Sequence, residues 1–326
     1  MKFAVDFQTL PPGFNAWLVK YGGERMNSFG SKGKPTHRGS LGGGGRGRHE
    51  DVGASARKLE GKSQKLYSLP KYYDIAFSRD VSKEIEFYIG CFKKYCDFEV
   101  RRILEPACGS GIFLLAFPRY GYQIVGYDIS PEMVEYANEK IRVAGLQGMA
   151  KAVVGDMASM KFNEKFDAAI IAINSLGYLQ TDDKILSHFK YMSESLVKGG
   201  CYILELSCAC ENLDNEKRPD ETWVAEEGGI KVEATWKPYR YDTTKKLRYV
   251  YFKMMVQDNG KFFELEEEHV LRLWYYDDLK RLAEEGGFTI EAIYTQEFQP
   301  VPSSVKITGE LGALYFVLKN ESQGKR

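Results

Sequence analysis

The sequence lacks a long apolar segment, a cysteine framework and an excess of either charge. Its longest apolar run covers only residues 168–173, which is far too short to span a membrane. Asp6 and the paired prolines at positions 11 and 12 interrupt any signal-peptide core. Six cysteines without framework spacing, in a chain of 326 residues, indicate free thiols rather than disulfides. Together these absences favour a globular protein of the reducing cytoplasm without a membrane segment.

A metal centre is not predicted either. Cys208 and Cys210 have a spacing that metal ligands can use, but no second pair and no nearby histidine completes a site. We therefore interpret them as ordinary thiols at the end of a strand.

Residues 1–65 differ in composition from the rest of the chain. They contain twelve Lys and Arg against five Asp and Glu, and residues 22–61 are dense in Gly, Ser and Arg. Such a segment cannot repay the entropy of ordering, so it predicts a disordered extension. A basic arm that binds RNA is the other interpretation, but the arginines have almost no aromatic residues among them to stack on bases. Nucleic acid is therefore not the expected partner.

From Leu66 onward, patterns typical of strands and helices alternate. Strands are predicted at 102–106, 123–127, 150–154, 166–173, 201–206, 289–294 and 313–318, and helices at 81–95, 112–119, 131–144, 182–197 and 275–287. The gap after the third strand is too short for a helix, so a loop or single turn is expected there. Ser130 followed by Pro131 is the usual order of N-cap and first helical residue. This alternation predicts a doubly wound, mostly parallel α/β sheet.

The segment ILEPACGSGIF, residues 103–113, begins in the first strand and ends in the first crossover helix. Gly109 and Gly111 lie one residue apart, which indicates that the backbone must approach something closely without Cβ atoms in the way. Ligands of doubly wound sheets bind at the carboxyl ends of the strands, and helix N-termini there favour anions. The segment therefore predicts a ligand site.

Acidic residues end the next two strands. Asp128 ends the second strand, where a carboxylate accepts hydrogen bonds from a ribose diol. Asp156 follows the third strand, on the same rim, where it could hold an adenine amino group. These positions together indicate a ligand that contains adenosine. A dinucleotide is disfavoured because Ile112, Phe113 and Leu114 follow the second glycine, where the dinucleotide fingerprint calls for a third glycine, and the Gly-Lys-Ser/Thr of a P-loop is absent.

The motif order LEPACGSG, GYDIS, GDM, INSLGYL and LVKGGCYILEL resembles that of class I S-adenosylmethionine-dependent methyltransferases. The resemblance extends over residues 66–319 and implies a Rossmann-like seven-stranded sheet, S-adenosyl-L-methionine as cofactor and methyl transfer as activity. It places Glu105 and the two glycines at the methionyl moiety, and Asp128 at the ribose. The full set of implied cofactor contacts is Tyr73, Glu105, Ala107, Gly109, Gly111, Asp128, Ile129, Asp156, Met157 and Asn174.

One departure from the family concerns the acceptor. The Asn/Asp-Pro-Pro-Tyr/Phe motif of enzymes that methylate the exocyclic amines of bases is missing, because INSLGYL occupies its place. A small-molecule acceptor with an amine or hydroxyl group is therefore expected. A hydroxyl would need a general base, and Tyr178 and His269 are the candidates.

Between residues 207 and 274, three strands with hairpin turns predict an antiparallel β lid over the methyl group. Similar lid sheets occur in the glycine and amino-sugar N-methyltransferase branches of the family. The candidate substrate contacts are Trp223, Arg240, Tyr241, His269 and Arg272. The predicted organisation is an extension (1–65), a cofactor-binding core (66–206), a lid (207–274), elements that complete the core (275–319) and a tail (320–326).

Two other functions remain open at this point. The same fold could transfer an aminopropyl group from decarboxylated S-adenosylmethionine, although Asn174 and Ser175 stand where a polyamine would call for acidic residues. The chain could also bind adenosine without catalysis and serve as a scaffold. The sequence does not predict the oligomeric state.

Overall fold

The computed structural model describes residues 65–210 and 221–322, and the first of its two sheets has seven strands. These are β1 (Arg102–Pro106), β2 (Gln123–Asp128), β3 (Ala150–Val154), β4 (Phe166–Ile171), β5 (Leu196–Ser207), β10 (Phe288–Thr295) and β11 (Ala313–Asn320). Their order is β10-β11-β5-β4-β1-β2-β3. The β1–β5 neighbours pair in parallel, and β11 runs antiparallel between β5 and β10. This arrangement confirms the predicted doubly wound fold.

Six α-helices surround this sheet in the described part of the chain. They are α1 (Pro70–Phe77), α2 (Ser82–Tyr95), α3 (Ile112–Ala116), α4 (Pro131–Val143), α5 (Asp182–Ser195) and α6 (Tyr276–Glu285). Ser130 caps α4 as predicted, because its hydroxyl accepts from the backbone N–H of Met133 at 3.2 Å. The predicted helix at 112–119 ends its α-helical part at Ala116 and continues as a 3₁₀ turn from Phe117 to Tyr120.

The second sheet is an antiparallel meander of four strands. They are β6 (Glu221–Glu227), β7 (Ile230–Asp242), β8 (Leu247–Asp258) and β9 (Lys261–Arg272), hydrogen-bonded in that order. The expectation of three strands was wrong by one, since β6 adds an edge strand. The turn between β8 and β9 contains Asn259 and Gly260, both with positive φ, as an Asn-Gly hairpin requires.

The lid sheet packs on α1 through an apolar face. Val232, Ala234 and Phe252 are fully buried and share a core cluster with Ile75 and Ala76 of α1. The same helix also packs beside the glycine segment, because Tyr73 of α1 lies against Gly109. The helix α1 therefore connects the lid to the carboxyl ends of the strands.

The ends of the predicted organisation lie partly outside the described residues. The predicted extension does so except for Lys65, as do residues 211–220 of the predicted lid and the last four residues of the chain. Asn320, assigned to a tail, instead ends β11 and is fully buried, because its amide donates to three backbone carbonyl groups. Among the described residues, no helix is both long and apolar enough to cross a bilayer.

Candidate cofactor and acceptor site

The glycine segment forms a turn with an unusual backbone between β1 and α3. Ala107, Gly109 and Gly111 have φ values of 53°, 51° and 82°. A Cβ atom at Gly111 would lie 3.0 Å from the Cβ of Ala137 in α4, so this glycine permits close packing of α4. A Cβ atom at Gly109 would lie 3.8 Å from the ring of Tyr73, which faces this turn from α1. The close approach predicted from sequence is therefore a contact with α4 at Gly111. At Gly109 the nearest atoms belong to the Tyr73 ring, at ordinary contact distance.

Asp128 is hydrogen-bonded to the glycine turn. One carboxylate oxygen accepts from the backbone N–H of Gly109 and the other from that of Ser130, both at 2.9 Å. Burial raises the pKa of Asp128, and these backbone hydrogen bonds oppose the rise. Each oxygen keeps a lone pair for one further donor. The geometry suits a ribose diol, and the contact itself stays a prediction.

Glu105 is a buried carboxyl group at the end of β1. It is 3% exposed, and its Oε2 atom has no hydrogen-bond partner within the described residues. Burial raises the pKa of Glu105 well above its ordinary value, and the charge of Asp128 adds to the rise while Arg79 opposes it. A cationic ammonium group would satisfy this oxygen, which is the group that the methionyl moiety carries. Arg79, which the sequence analysis missed, is held nearby by an ion pair of 2.6 Å with Glu84.

The opposite side of the rim is apolar. Ile129 and Val154 are at least 54% exposed at the carboxyl ends of the neighbouring strands β2 and β3, where the flat face of an adenine would cover them, whereas Ile173 is 48% exposed at the end of β4. One oxygen of Asp156 accepts from the N–H of Ala158 at 2.8 Å and so caps the turn after β3.

Met157 and Asn174 are fixed by neighbouring elements. The carbonyl oxygen of Met157 accepts from Nδ1 of the buried His188 at 3.0 Å. Asn174, with φ of 56°, accepts through its side-chain oxygen from the N–H of Ser207 at 3.3 Å, which connects the end of β4 to β5. These contacts fix the backbone at Met157 and the side chain of Asn174, and their contact with a cofactor stays a prediction.

A cluster of rings connects the glycine turn to the lid, and we call it the aromatic cluster. It comprises Tyr67, Tyr73, Tyr178, Trp236 and His269. The Tyr67 and Tyr178 hydroxyl groups lie 2.6 Å apart, and the Tyr178 hydroxyl lies 3.0 Å from Nδ1 of His269. Tyr73 has its ring centroid 5.8 Å from that of Tyr67, and Trp236 stacks on His269 at 5.3 Å. Tyr178 and His269 were predicted from sequence, whereas Tyr67 and Trp236 were missed.

The other predicted substrate contacts have partners within the protein. Trp223 donates through its indole N–H to the carbonyl oxygen of Ala76 at 2.7 Å, which fastens the lid to α1. Arg240 is exposed and lies 3.5 Å above the ring centroid of Tyr249.

Arg272 and Tyr241 lie elsewhere on the lid. Arg272 is buried and pairs with Asp182 at 2.6 Å, so it connects β9 to α5. Tyr241 is half-buried on β7 opposite Arg248. Of the five predicted substrate contacts, only His269 belongs to the aromatic cluster.

Comparison with known proteins gives a consistent class. Residues 103–200 match the family model described as "Methyltransferase domain". The chain is 23% identical over 211 residues to the "Putative methyltransferase YqeM" of Bacillus subtilis (strain 168), covering 63% of this chain and 81% of that protein. It is 28% identical over 107 residues to the dTDP-3-amino-3,4,6-trideoxy-alpha-D-glucopyranose N,N-dimethyltransferase of Streptomyces venezuelae, covering 33% of this chain and 43% of that protein.

A solved structure shares the described architecture. The crystal structure of an S-adenosylmethionine-dependent methyltransferase from Clostridium acetobutylicum ATCC 824 matches with a TM-score of 0.64 at 21% identity, covering 77% of this chain and 97% of that chain. This likeness shows a Rossmann-like fold. The match over residues 103–200 identifies a methyltransferase domain with S-adenosyl-L-methionine as its cofactor, and the chain resembles the class I S-adenosylmethionine-dependent methyltransferases.

Proposed function

We propose that this enzyme transfers the methyl group to the amino group of a small molecule, with a nucleotide-linked amino sugar as the first candidate. The observation that carries the proposal is the aromatic cluster, in which the hydroxyl groups of Tyr67 and Tyr178 and the imidazole of His269 are linked by hydrogen bonds. The Streptomyces venezuelae relative, whose printed name is that of an amino-sugar N,N-dimethyltransferase, supports this class of acceptor.

The position of the aromatic cluster supports the proposal. Tyr73 contacts the Gly109 side of the turn, Tyr67 packs against Tyr73, and Tyr178 follows the end of β4 in a 3₁₀ turn. The charge of Asp128 contributes to the raised pKa of each of these three tyrosines, so all three are close to the predicted ribose contact. An acceptor held under the lid therefore has the cofactor rim on its other side.

The protonation states in the cluster favour an amine over an alcohol. Burial raises the pKa of Tyr178 to about 12 and lowers the pKa of His269, so the first stays protonated and the second stays neutral near pH 7. Protonated Tyr178 is not a base, and the lowered pKa of His269 makes it a weaker base toward an alcohol than an ordinary histidine. An amine needs only to arrive deprotonated, and a chamber with little water favours its uncharged form.

The chain's own contribution to the reaction is then alignment and exclusion of water. When bound, the cofactor supplies a methyl group that its sulfonium has already activated. The rings of the cluster desolvate the acceptor, and the hydroxyl groups orient it for displacement in line with the bond that breaks. The π faces of the tyrosines also stabilise positive charge as it shifts to the acceptor nitrogen.

A matched pair of acceptors tests the proposal. The full chain is incubated with S-adenosylmethionine labelled in the methyl group and with dTDP-3-amino-3,4,6-trideoxy-α-D-glucopyranose. A second reaction contains the same nucleotide sugar with a hydroxyl group in place of the amine. We expect label on the amino sugar alone, with the added methyl on nitrogen by mass spectrometry.

Two controls distinguish the remaining alternatives. Decarboxylated S-adenosylmethionine with putrescine tests aminopropyl transfer, and a wider panel of small amines tests the acceptor class. Label on the hydroxyl sugar, aminopropyl transfer, or no methylated product with any amine would each overturn the proposal.

A further inference from the structure

We infer that His269 fixes the direction of a hydrogen-bond chain through Tyr178 to Tyr67, so that the Tyr67 oxygen accepts an N–H group of the methyl acceptor. The chain is continuous, with 2.6 Å between the two hydroxyl oxygens and 3.0 Å from Tyr178 to Nδ1 of His269. This inference rests on the proposed function and deepens it, because it states which hydrogen-bonding groups the acceptor must offer.

The hydrogen bonds of this chain can run in two directions, and the position of the proton on His269 selects one of them. If Nδ1 carries no proton, Tyr178 donates to it, Tyr67 donates to Tyr178, and the Tyr67 oxygen has only lone pairs left. If Nδ1 carries the proton, it donates to Tyr178, and Tyr67 ends the chain as a donor. In the first direction Tyr67 can only accept an N–H group from the acceptor, whereas in the second its free O–H group competes for the acceptor's lone pair.

The surroundings of His269 favour a proton on Nε2. The residue is 3% exposed, and its Nε2 atom has no hydrogen-bond partner within the described residues. Its nearest neighbours are rings: Trp236 is stacked on it, and Phe252 lies edge to face with a centroid distance of 5.8 Å. The stacked Trp236 ring runs roughly parallel to the imidazole and cannot receive its in-plane N–H group, but the Phe252 ring stands across it, and an aromatic face attracts a buried N–H group and repels a buried lone pair. Nδ1 is then left as the acceptor.

The electrostatic environment keeps His269 neutral, as the inferred direction of the hydrogen bonds requires. Burial lowers the pKa of His269, and the neighbouring Glu267 opposes that change. Glu267 is occupied on the other side, where its Oε2 accepts from the backbone N–H of Leu66 at 2.9 Å. The hydrogen bond with Tyr67 lowers the pKa of Tyr178 against the effect of burial, which suits Tyr178 as the accepting member of the tyrosine pair.

The direction of the chain restricts the acceptor. A primary or secondary amine can donate an N–H group to Tyr67 while its lone pair points toward the methyl group. A tertiary amine has no N–H group, and a carboxylate would place a lone pair against the Tyr67 oxygen. Methylation of a primary amine should therefore stop at the tertiary amine, with no quaternary ammonium product. Tyr67 contacts the acceptor in this arrangement, and Tyr178 and His269 are positioning residues.

The tautomer of His269 can be measured without any acceptor. The chain has four histidines, two of which, His37 and His49, lie in the predicted extension. His188 is an internal reference of the opposite kind, because its Nδ1 contacts a carbonyl oxygen and must carry the proton. NMR of the full chain labelled with ¹³C,¹⁵N-histidine, assigned with the His188→Gln and His269→Asn variants, should show a proton on Nε2 of His269 and on Nδ1 of His188. A proton on Nδ1 in both residues would overturn the inference.

Kinetics with the amino-sugar acceptor supply the second readout. In His269→Asn the amide oxygen would lie near the present position of Nδ1, whereas in His269→Gln the longer side chain would place a polar group near that of Nε2. We expect Tyr67→Phe and His269→Gln to raise KM for the amine about two- to tenfold, as the loss of one neutral hydrogen bond predicts, with unchanged cofactor affinity. His269→Asn should stay closer to the unmodified enzyme.

The matched control is Tyr72→Phe, which removes a hydroxyl from the adjacent helix. That hydroxyl donates to Asp258 at 3.0 Å, outside the aromatic cluster. If Tyr67→Phe and Tyr72→Phe change KM equally, the inference fails. If no amine is methylated at all, the proposed function fails. The tautomer of His269 then still shows whether the hydrogen bonds from Tyr67 to His269 run in the inferred direction.

Discussion

Replacing Asp128 with alanine should weaken S-adenosylmethionine and S-adenosylhomocysteine equally. Each carboxylate oxygen accepts one backbone N–H group at 2.9 Å and keeps a lone pair for one ribose hydroxyl. A hydrogen bond to a charged group contributes about 1.5–3 kcal/mol. Part of this is regained when water solvates the freed groups, so we expect a loss of about ten- to a thousandfold in affinity. Asp128→Asn should lose less, since the amide keeps one acceptor oxygen.

A matched carboxylate near the amino-terminal end of a central strand in the same sheet is the control. Asp167 of β4 accepts from the backbone N–H groups of Arg101 and Arg102 at 2.8 and 2.9 Å, so it connects two strands as Asp128 does. Asp167→Ala should therefore reduce folding stability without changing affinity for either ligand. Calorimetric titration of the folded variants, beside urea unfolding of each, makes the comparison. If Asp128→Ala lost stability and bound both ligands normally, Asp128 would only shape the turn, and the ribose contact would be refuted.

Two further predictions concern stability, and urea unfolding checks both. Gly126→Ala should cost about 1–3 kcal/mol, because its Cβ would lie 2.6 Å from the Cβ of Cys108. Gly90→Ala in α2 has nothing within 4 Å and should instead stabilise by about 0.5–1 kcal/mol, so equal effects would contradict the packing argument. Burial lowers the pKa of His188 to about 4 from 6.5, so the unfolded chain binds this proton first on acidification. The free energy of unfolding should fall by up to about 3 kcal/mol between these pH values, and His188→Gln should lose that part of the pH dependence. A pH dependence unchanged in this variant would contradict the assignment.

The core of the fold was predictable because its local signals agree with one another. The strands β1 to β4 are apolar runs between turn residues, and α4 begins at the Ser130–Pro131 pair that marks a helix start. The start of β5 was harder to predict, because it begins at Leu196 directly after α5, with no loop residues to separate the two. A boundary of that kind has no local signal.

The strand β6 was missed for a different reason. Its sequence, ETWVAEE, lies at the edge of the lid, and none of its side chains is fully buried. Trp223 and Ala225 pack against the lid core but are only partly buried, so the strand offers just two apolar residues on its inner face and a weak alternation. Its backbone pairing with β7 defines it as a strand.

The cofactor rim was predictable and the aromatic cluster was not. Residues of the rim lie at strand ends, which follow from the order of elements along the chain. Tyr67 and His269, in contrast, are 202 positions apart, and they meet because the lid folds back over the N-terminal turn. The aromatic-rich segment before α1 was a signal of burial, but it contained nothing to show which ring would face the lid.

The strained backbone at the site lies in the turns after two neighbouring strands. β1 and β4 are paired in parallel where the strand order reverses, and the turn after each contains non-glycine residues with positive φ, Ala107 after β1 and Ile173 after β4. Such a backbone costs about 1–3 kcal/mol per residue and persists only where other contacts fix it.

In each turn a backbone N–H group donates to a carboxylate of the neighbouring strand on the side away from the β1–β4 pair, and this hydrogen bond holds the turn. Gly109 donates to Asp128 at the end of β2, and Ile173 donates to Glu205 of β5 at 2.8 Å. These two carboxylates stand on either side of the reversal in strand order, one toward the predicted ribose contact and one beside Asn174 and the turn that contains Tyr178. The strained turns therefore hold the donor side and the acceptor side of the site by the same device, and each depends on a carboxylate that the neighbouring strand supplies.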